Sequence, residues 1–409
     1  MRDGERDLAP DLARGVALLG IALANSVGHL SGRELGPSGR PVDGSAADRA
    51  VDAVVGTLVD NRAFPMFTLL FAYGLVMVLR RQAALGVPWP VARGVLVRRC
   101  LWLAAFGVLH GVLLFTGDVL LAYGVLGLVV VGLLLRAGDR ALLVWAAAAL
   151  VVFTGLSAVD GVTGLVAPAQ APFGLDATSP AGALGERALS VLGNVLLSPF
   201  IALALVPPAA LGLWAARRQV LERPGEHLRL LRVLAVGGSA VSALGALPLV
   251  LASLQVWQVG WVTGLAAGAL HAVTGLAGAV AFAALVAWSV ARRQRAGAPA
   301  RPGGVLGALA AVGQRSLTCY LLQSVLLVPL MAPWAGGLGV GAGTARAAAL
   351  AVGAYLVTLV VAVLLARAGR PGPAEQLLRR LVYGRVSAAA PAAPAIPRDA
   401  ARGSVAPPA

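Results

Sequence analysis

Residues 107–127 read GVLHGVLLFTGDVLLAYGVLG. Almost every position suits hydrocarbon, yet the stretch holds His110 and, eight residues later, Asp118. An ionisable group at the bilayer centre costs about 2.5–3.5 kcal/mol on insertion scales, so a chain keeps one only in a protein interior or a wet cavity. In one unbroken helix the two residues would stand about 12 Å apart at 1.5 Å per residue. Gly117-Asp118 marks a turn instead. Broken there, the stretch becomes a helical hairpin in which Asp118 caps the second helix and faces back towards His110.

Outward from this stretch, the same apolar grade recurs along the chain. Of the 409 residues, 58% are hydrophobic and 12% charged, against about 25% charged in a soluble domain. Ten spans are expected, near 12–30, 61–79, 100–116, 119–135, 141–158, 190–215, 233–253, 263–291, 316–334 and 345–366. Each approaches the roughly 20 residues that cross a bilayer as helix. Ser198-Pro199 and Pro207-Pro208 are expected to interrupt the sixth. The fold class is therefore all-α: a polytopic integral membrane helical bundle over 1–385, with a disordered Ala/Pro-rich tail at 386–409. Segments 31–60 and 160–186 read as the long outer loops.

The net charge of +15 invites a nucleic-acid reading, but its distribution opposes one. All 33 basic residues are Arg. With the N-terminus in the cytoplasm, 27 of them fall on inner segments and six on outer ones, while the 18 acids divide evenly. That is the positive-inside bias. It implies cytoplasmic termini, a bilayer as partner, a multi-pass place in a cell membrane and no nucleic acid. The first span carries a signal-peptide-like Ala22-x-Ala24 pair, yet later loops set the same orientation independently, so the span is expected to be retained. Cys100 and Cys319 read as buried, inert thiols. No paired-cysteine, HExxH or phosphate-loop pattern occurs, and four histidines far apart in sequence do not support a metal site.

The scarce polar residues at membrane depth are the functional candidates, each with a structural alternative. Asp11 and Arg14 open the first span three apart and can pair. Asn25 and His29 follow on the same helix, where the first can bond a neighbouring helix and the second can be a loop residue. Tyr123 lies one turn beyond Asp118 and can join its network. The ninth span opens GQRSLTCYLLQS (313–324), in which Ser316, Tyr320, Gln323 and Ser324 share one helix face, with Arg315 and Thr318 beside it. His271 is a further candidate in weaker context.

The stretches DLARGVALLGIALAN (11–25), FPMFTLLFAYGLVMVLRR (64–81), RRCLWLAAFGVLHGVLLFTGDVLLAYGVLG (98–127) and VGQRSLTCYLLQS (312–324) together resemble the YeiB-like family of bacterial membrane proteins, domain of unknown function 418. That family is distantly similar to the transmembrane acyltransferases. The similarity implies transfer of an acyl group from a cytoplasmic donor, often acyl-CoA, to a small-molecule, lipid or glycan acceptor at the outer face. Arg14 matches the arginine of that group's first span, and Asn25 stands where its histidine would be. The heparan glucosaminide acetyltransferase-like branch carries Asn there and a histidine further out, a rough match for His29. On this reading His110, Asp118 and His29 are the catalytic candidates. Arg14, Asn25, Arg315, Ser316, Thr318, Tyr320, Gln323 and Tyr123 would bind substrate or donor, and no covalently bound cofactor is implied. A transporter or exporter of a small amphiphile, or a non-catalytic scaffold, would use the same polar groups differently.

Overall fold

The computed structural model describes residues 8–165, 177–299 and 302–384. The described residues are helical apart from turns, loops and two isolated bridges, Ser31–Val340 and Leu35–Pro41. The helices are α1 (Leu8–Ser26), α2 (Ala46–Leu58), α3 (Ala63–Ala84), α4 (Trp89–Leu113), α5 (Leu120–Val129), α6 (Asp139–Ala158) and α7 (Pro180–Ala204). They continue as α8 (Val206–Arg217), α9 (Leu228–Ser253), α10 (Trp261–Arg295), α11 (Gly304–Gln314), α12 (Ser316–Met331), α13 (Thr344–Arg367) and α14 (Pro373–Tyr383). A π-helical turn, Val130–Leu134, extends α5. The expected tail at 386–409 and residues 166–176 of the expected loop at 160–186 lie outside the described residues, while Pro180 onward in that loop is already helix α7.

Eight helices are long and apolar enough to cross a membrane among the described residues, or nine if the pair α11–α12, bent by 91°, counts as one span. The fourth expected span, 119–135, is the shorter apolar helix Leu120–Leu134, below the length that crosses a membrane by itself. Leu143, Val151, Leu189 and Val262 are more than two-thirds exposed on the outside of the bundle. A folded chain leaves so much aliphatic surface bare where its solvent is lipid.

Two sequence expectations are corrected. Segment 31–60 is not simply a loop, because Ser45 caps α2 in a capping box with Asp48, and α2 runs with α3 as a 39-residue apolar stretch, Ala46–Ala84. The expected sixth span begins ten residues early, as α7, and Pro199 lies inside that helix without ending it. The break falls at Leu205 instead, placing Pro207 and Pro208 in the first turn of α8, where a missing N–H costs nothing. The ninth span begins at Ser316 as expected, and a sharp corner at Arg315 sets it off from α11.

Small residues let the helices touch. A Cβ on Gly15 of α1 would lie 2.1 Å from the Leu309 carbonyl oxygen of α11, and one on Gly313 would lie 1.8 Å from the Asp11 carbonyl oxygen. Close approach of this kind is how helices associate where no hydrophobic force separates protein from solvent. The Tyr355 hydroxyl of α13 donates to the Gly15 carbonyl at 2.8 Å, fixing α1 between two partners. Gly15→Val should destabilise the purified protein by about 1–3 kcal/mol in detergent unfolding. Gly94→Ala, which meets nothing within 4 Å, should leave the midpoint within error of the parent.

Candidate functional site

The turn at Gly117-Asp118 brings α4 back against α5. Gly107 and Gly124 make this possible: a Cβ on Gly107 would meet the Leu121 amide nitrogen at 2.1 Å and Asp118 Oδ2 at 2.5 Å, and one on Gly124 would meet the Ala104 nitrogen at 2.5 Å. Asp118 then accepts from Leu121 N–H at 2.9 Å, capping α5 as the sequence predicts. Its Oδ1 lies 2.8 Å from His110 Nδ1 and accepts from the Tyr320 hydroxyl of α12 at 3.3 Å. The Tyr320 oxygen in turn lies 3.4 Å from the Val119 N–H, and its ring tilts against His110 with centroids 5.2 Å apart. The imidazole, the carboxylate and the phenol thus form one cluster drawn from three helices.

The chemistry of His110 follows from that bond. A carboxylate accepts, so Nδ1 carries the proton, and in the neutral ring Nε2 is the lone pair. His110 Nε2 is buried and has no hydrogen-bond partner among the described residues. A positioned imidazole with a carboxylate on one nitrogen and a free lone pair on the other is the arrangement of a general base.

On the other side of Tyr320 lies a chamber of about 340 Å³, within the small-ligand range. Its deep end is formed by Val119, Leu120, Tyr123, Tyr320, Ile21 and Phe67. Its other end is formed by Asp11, Arg14, Arg81, Arg99, Ser316 and Glu375. From Phe67 to Arg81 along α3 is about 21 Å at 1.5 Å per residue, so the chamber reaches far into the bundle. Arg14 pairs with Asp11 at 3.0 Å, and Gly74 leaves room for its guanidinium, with a Cβ there 3.4 Å from it. Arg81 and Arg99 make no ion pair among the described residues and are exposed at the mouth. Asp11 Oδ2 is buried without a hydrogen-bond partner there.

Four of the sequence candidates, Arg14, Ser316, Tyr320 and Tyr123, line this chamber, while His110 and Asp118 sit behind its Tyr320 wall. The Tyr123 hydroxyl donates to the Phe64 carbonyl at 3.3 Å and accepts from Thr68 Oγ1 at 3.4 Å, and does not meet Asp118. The others are elsewhere. His29 is buried and stacked on Phe115 at 4.5 Å. Asn25 is half-buried outside the lining. Gln323 is buried with its Nε2 unpartnered among the described residues. Arg315 donates to the Arg370 carbonyl at 2.7 and 3.1 Å, closing the corner between α11 and α12. Thr318 accepts from the Ala374 N–H at 3.0 Å, and Glu375 of α14 accepts from the Leu317 and Thr318 amides at 2.8 and 3.1 Å. Those bonds satisfy the start of α12 and seat α14 at the mouth.

Sequence reasoning missed Arg81 and Arg99, which read as ordinary inner-loop cations, and Glu375, which gave no signal. It also missed a second buried network at the opposite end of the bundle. Arg40 pairs with Asp52 at 2.9 Å and with Asp60; burial alone would lower its pKa, and the two carboxylates outweigh that and raise it. Arg62, fully buried, donates to Ser242 Oγ and to the Ser242 carbonyl at 2.9 Å each. It also meets His271 Nε2 at 2.6 Å. Asn61 links His271 to Asp160. The histidine was visible; its arginine looked like a loop residue.

Fold and site together define a polytopic α-helical membrane protein with a chamber opening at an arginine-rich end and a histidine–aspartate pair behind its far wall. Residues 215–385 match the family model described as a protein of unknown function (DUF418). The chain is 25% identical over 407 residues to "Uncharacterized protein YxaH" of Bacillus subtilis (strain 168), covering 91% of this chain and 93% of that protein. It is 36% identical over 129 residues to "Uncharacterized protein YeiB" of Escherichia coli (strain K12), covering 31% of this chain and 30% of that one. The resemblance to the YeiB-like family is thereby borne out. No solved structure matches it significantly. Asp118→Ala should cost about 1–3 kcal/mol, because it strands buried donors, whereas Tyr320→Phe should cost about 0.5–1.5 kcal/mol. Equilibrium unfolding in detergent separates the two.

Proposed function

We infer that the chain is an acyltransferase of the bacterial plasma membrane that takes an acyl group from a cytoplasmic donor, such as acyl-CoA, and passes it to an acceptor at the outer face. The observation that carries this is the His110–Asp118 pair with a free Nε2, separated by one tyrosine from a chamber whose mouth holds Arg14, Arg81 and Arg99. Guanidinium groups bind phosphate oxygens in bidentate fashion, so three of them at one mouth suit a phosphate-bearing headgroup. The deep end beside Tyr320 would take the thioester and the start of the acyl chain. With the N-terminus cytoplasmic, the mouth opens to the cytoplasm. An acceptor hydroxyl or amine would give its proton to Nε2 as its heteroatom attacks the thioester carbonyl. The carbon–sulfur bond breaks, and the thiolate leaves with the proton. Asp118 would hold the ring in the working tautomer.

The 91° break between α11 and α12, next to the chamber, supports a second reading. Transporters build substrate sites at interrupted helices, and an exporter of a small amphiphile would use the same chamber without chemistry. Proteoliposomes supplied with labelled acyl-CoA decide between them. His110→Ala should lower acyl transfer by about 10²–10⁴-fold, and Arg81→Gln with Arg99→Gln should raise the donor KM by about tenfold, equivalent to roughly 1.4 kcal/mol. Full transfer by His110→Ala removes that residue from the mechanism. Flux of an amphiphile without acyl donor favours the exporter.

A further inference from the structure

A second cavity, of about 830 Å³, lies where the start of α9 meets the end of α10, away from the chamber. Arg229 and Arg232 of α9 face Arg292 and Arg295 of α10 across it, with Trp288 and Leu228 beside them. Each helix presents its two arginines three residues apart, on one face. No carboxylate lines the cavity, and none of the four arginines forms an ion pair among the described residues. Arg292 stacks over the Trp288 ring at 5.4 Å, and Arg295 reaches only the Gly225 carbonyl, at 3.5 Å. All four side chains are exposed, so water and salt screen part of their mutual repulsion, and an anion between them would relieve the rest.

The surface next to the cradle is apolar. Val233 and Val236 continue the arginine face of α9 at i+4 and i+7 from Arg229, and Leu285 continues that of α10 one turn beyond Trp288; all three are exposed. Tryptophan belongs at the headgroup level of a bilayer. Along the two helices four arginines are therefore followed by an interfacial tryptophan and then by exposed aliphatic side chains. We propose that this is a binding site for one anionic phospholipid, its phosphate among the four arginines and its acyl chains along Val233, Val236 and Leu285. A basic pocket between transmembrane helices at the positively charged side of a membrane protein suits an acidic headgroup. A free phosphate would use the cradle but not the groove.

The test uses the purified full-length protein in phosphatidylcholine nanodiscs doped with phosphatidylglycerol, and native mass spectrometry of the lipid it retains. The parent should keep phosphatidylglycerol over phosphatidylcholine by at least about tenfold. Arg229→Gln, Arg232→Gln, Arg292→Gln and Arg295→Gln combined should lose that preference while eluting as a monodisperse species. The corresponding four Arg→Lys changes should keep most of it, because the charge remains. Retention unchanged by the glutamines, or equal retention of the two lipids by the parent, overturns the proposal. So does complete displacement of phosphatidylglycerol by millimolar inorganic phosphate.

Discussion

The carboxylate of Asp118 is the joint on which the bundle's interior depends. It takes a backbone N–H from α5, a ring nitrogen from α4 and a hydroxyl from α12. At membrane depth each of those donors would otherwise lack water, and a buried polar group left without a partner is expensive. One side chain therefore closes the α4–α5 hairpin and attaches it to a helix two hundred residues away in sequence. The requirement for glycine at positions 107 and 124 follows from the same joint, since any Cβ there would push the two helices apart before the carboxylate could reach its donors.

The other end of the chamber solves a different problem. The corner at Arg315 exposes the first amides of α12, which have no partner inside their own helix. Glu375 supplies one from a separate short helix, and Arg315 supplies carbonyl contacts in the reverse sense, onto Arg370. The segment that follows α13 is therefore part of the chamber's wall, with Leu378 reaching the lining. Polar groups at this end are taken up in holding the corner, which leaves Arg81 and Arg99 as the mouth's cations without an ion pair among the described residues.

Most of the fold was legible because lipid imposes a simple code of apolar length, flanking arginine and breakers. The hairpin was legible because hydrocarbon tolerates a carboxylate and an imidazole only where they find partners, and a Gly-Asp turn lets these two find each other. What the sequence hid were cases where local reading and tertiary use diverge. Pro199 reads as a breaker, yet an apolar helix at membrane depth accommodates it. Arg315 and Thr318 read as ligand groups because they share a polar block with Tyr320, but the 91° corner turns them towards α14. Arg62 reads as a loop cation because Asp60 and Asn61 precede it, whereas the chain folds it inward to Ser242 and His271. None of these is a matter of propensity; each depends on which distant helix happens to lie alongside.

The three buried histidines separate on one criterion, the saturation of their ring nitrogens. His271 has both engaged: Nδ1 faces the Asn61 amide at 3.2 Å, and Nε2 lies 2.9 Å from the Gly56 carbonyl and beside Arg62. A ring so occupied stabilises the helices around it and has no lone pair to offer. His29 lies against Phe115 in a stack, in the turn that follows α1, where its flat face fills space. His110 alone of the three is gripped on one nitrogen and empty on the other. The bond to Asp118 accounts for Nδ1 but not for Nε2, which packing alone leaves as a buried nitrogen without a partner among the described residues. Asp11 Oδ2 and Gln323 Nε2 are also buried without a partner among the described residues, but neither belongs to an imidazole held by a carboxylate, so on the proposed reading it is His110 Nε2, behind the Tyr320 wall, that would take a proton.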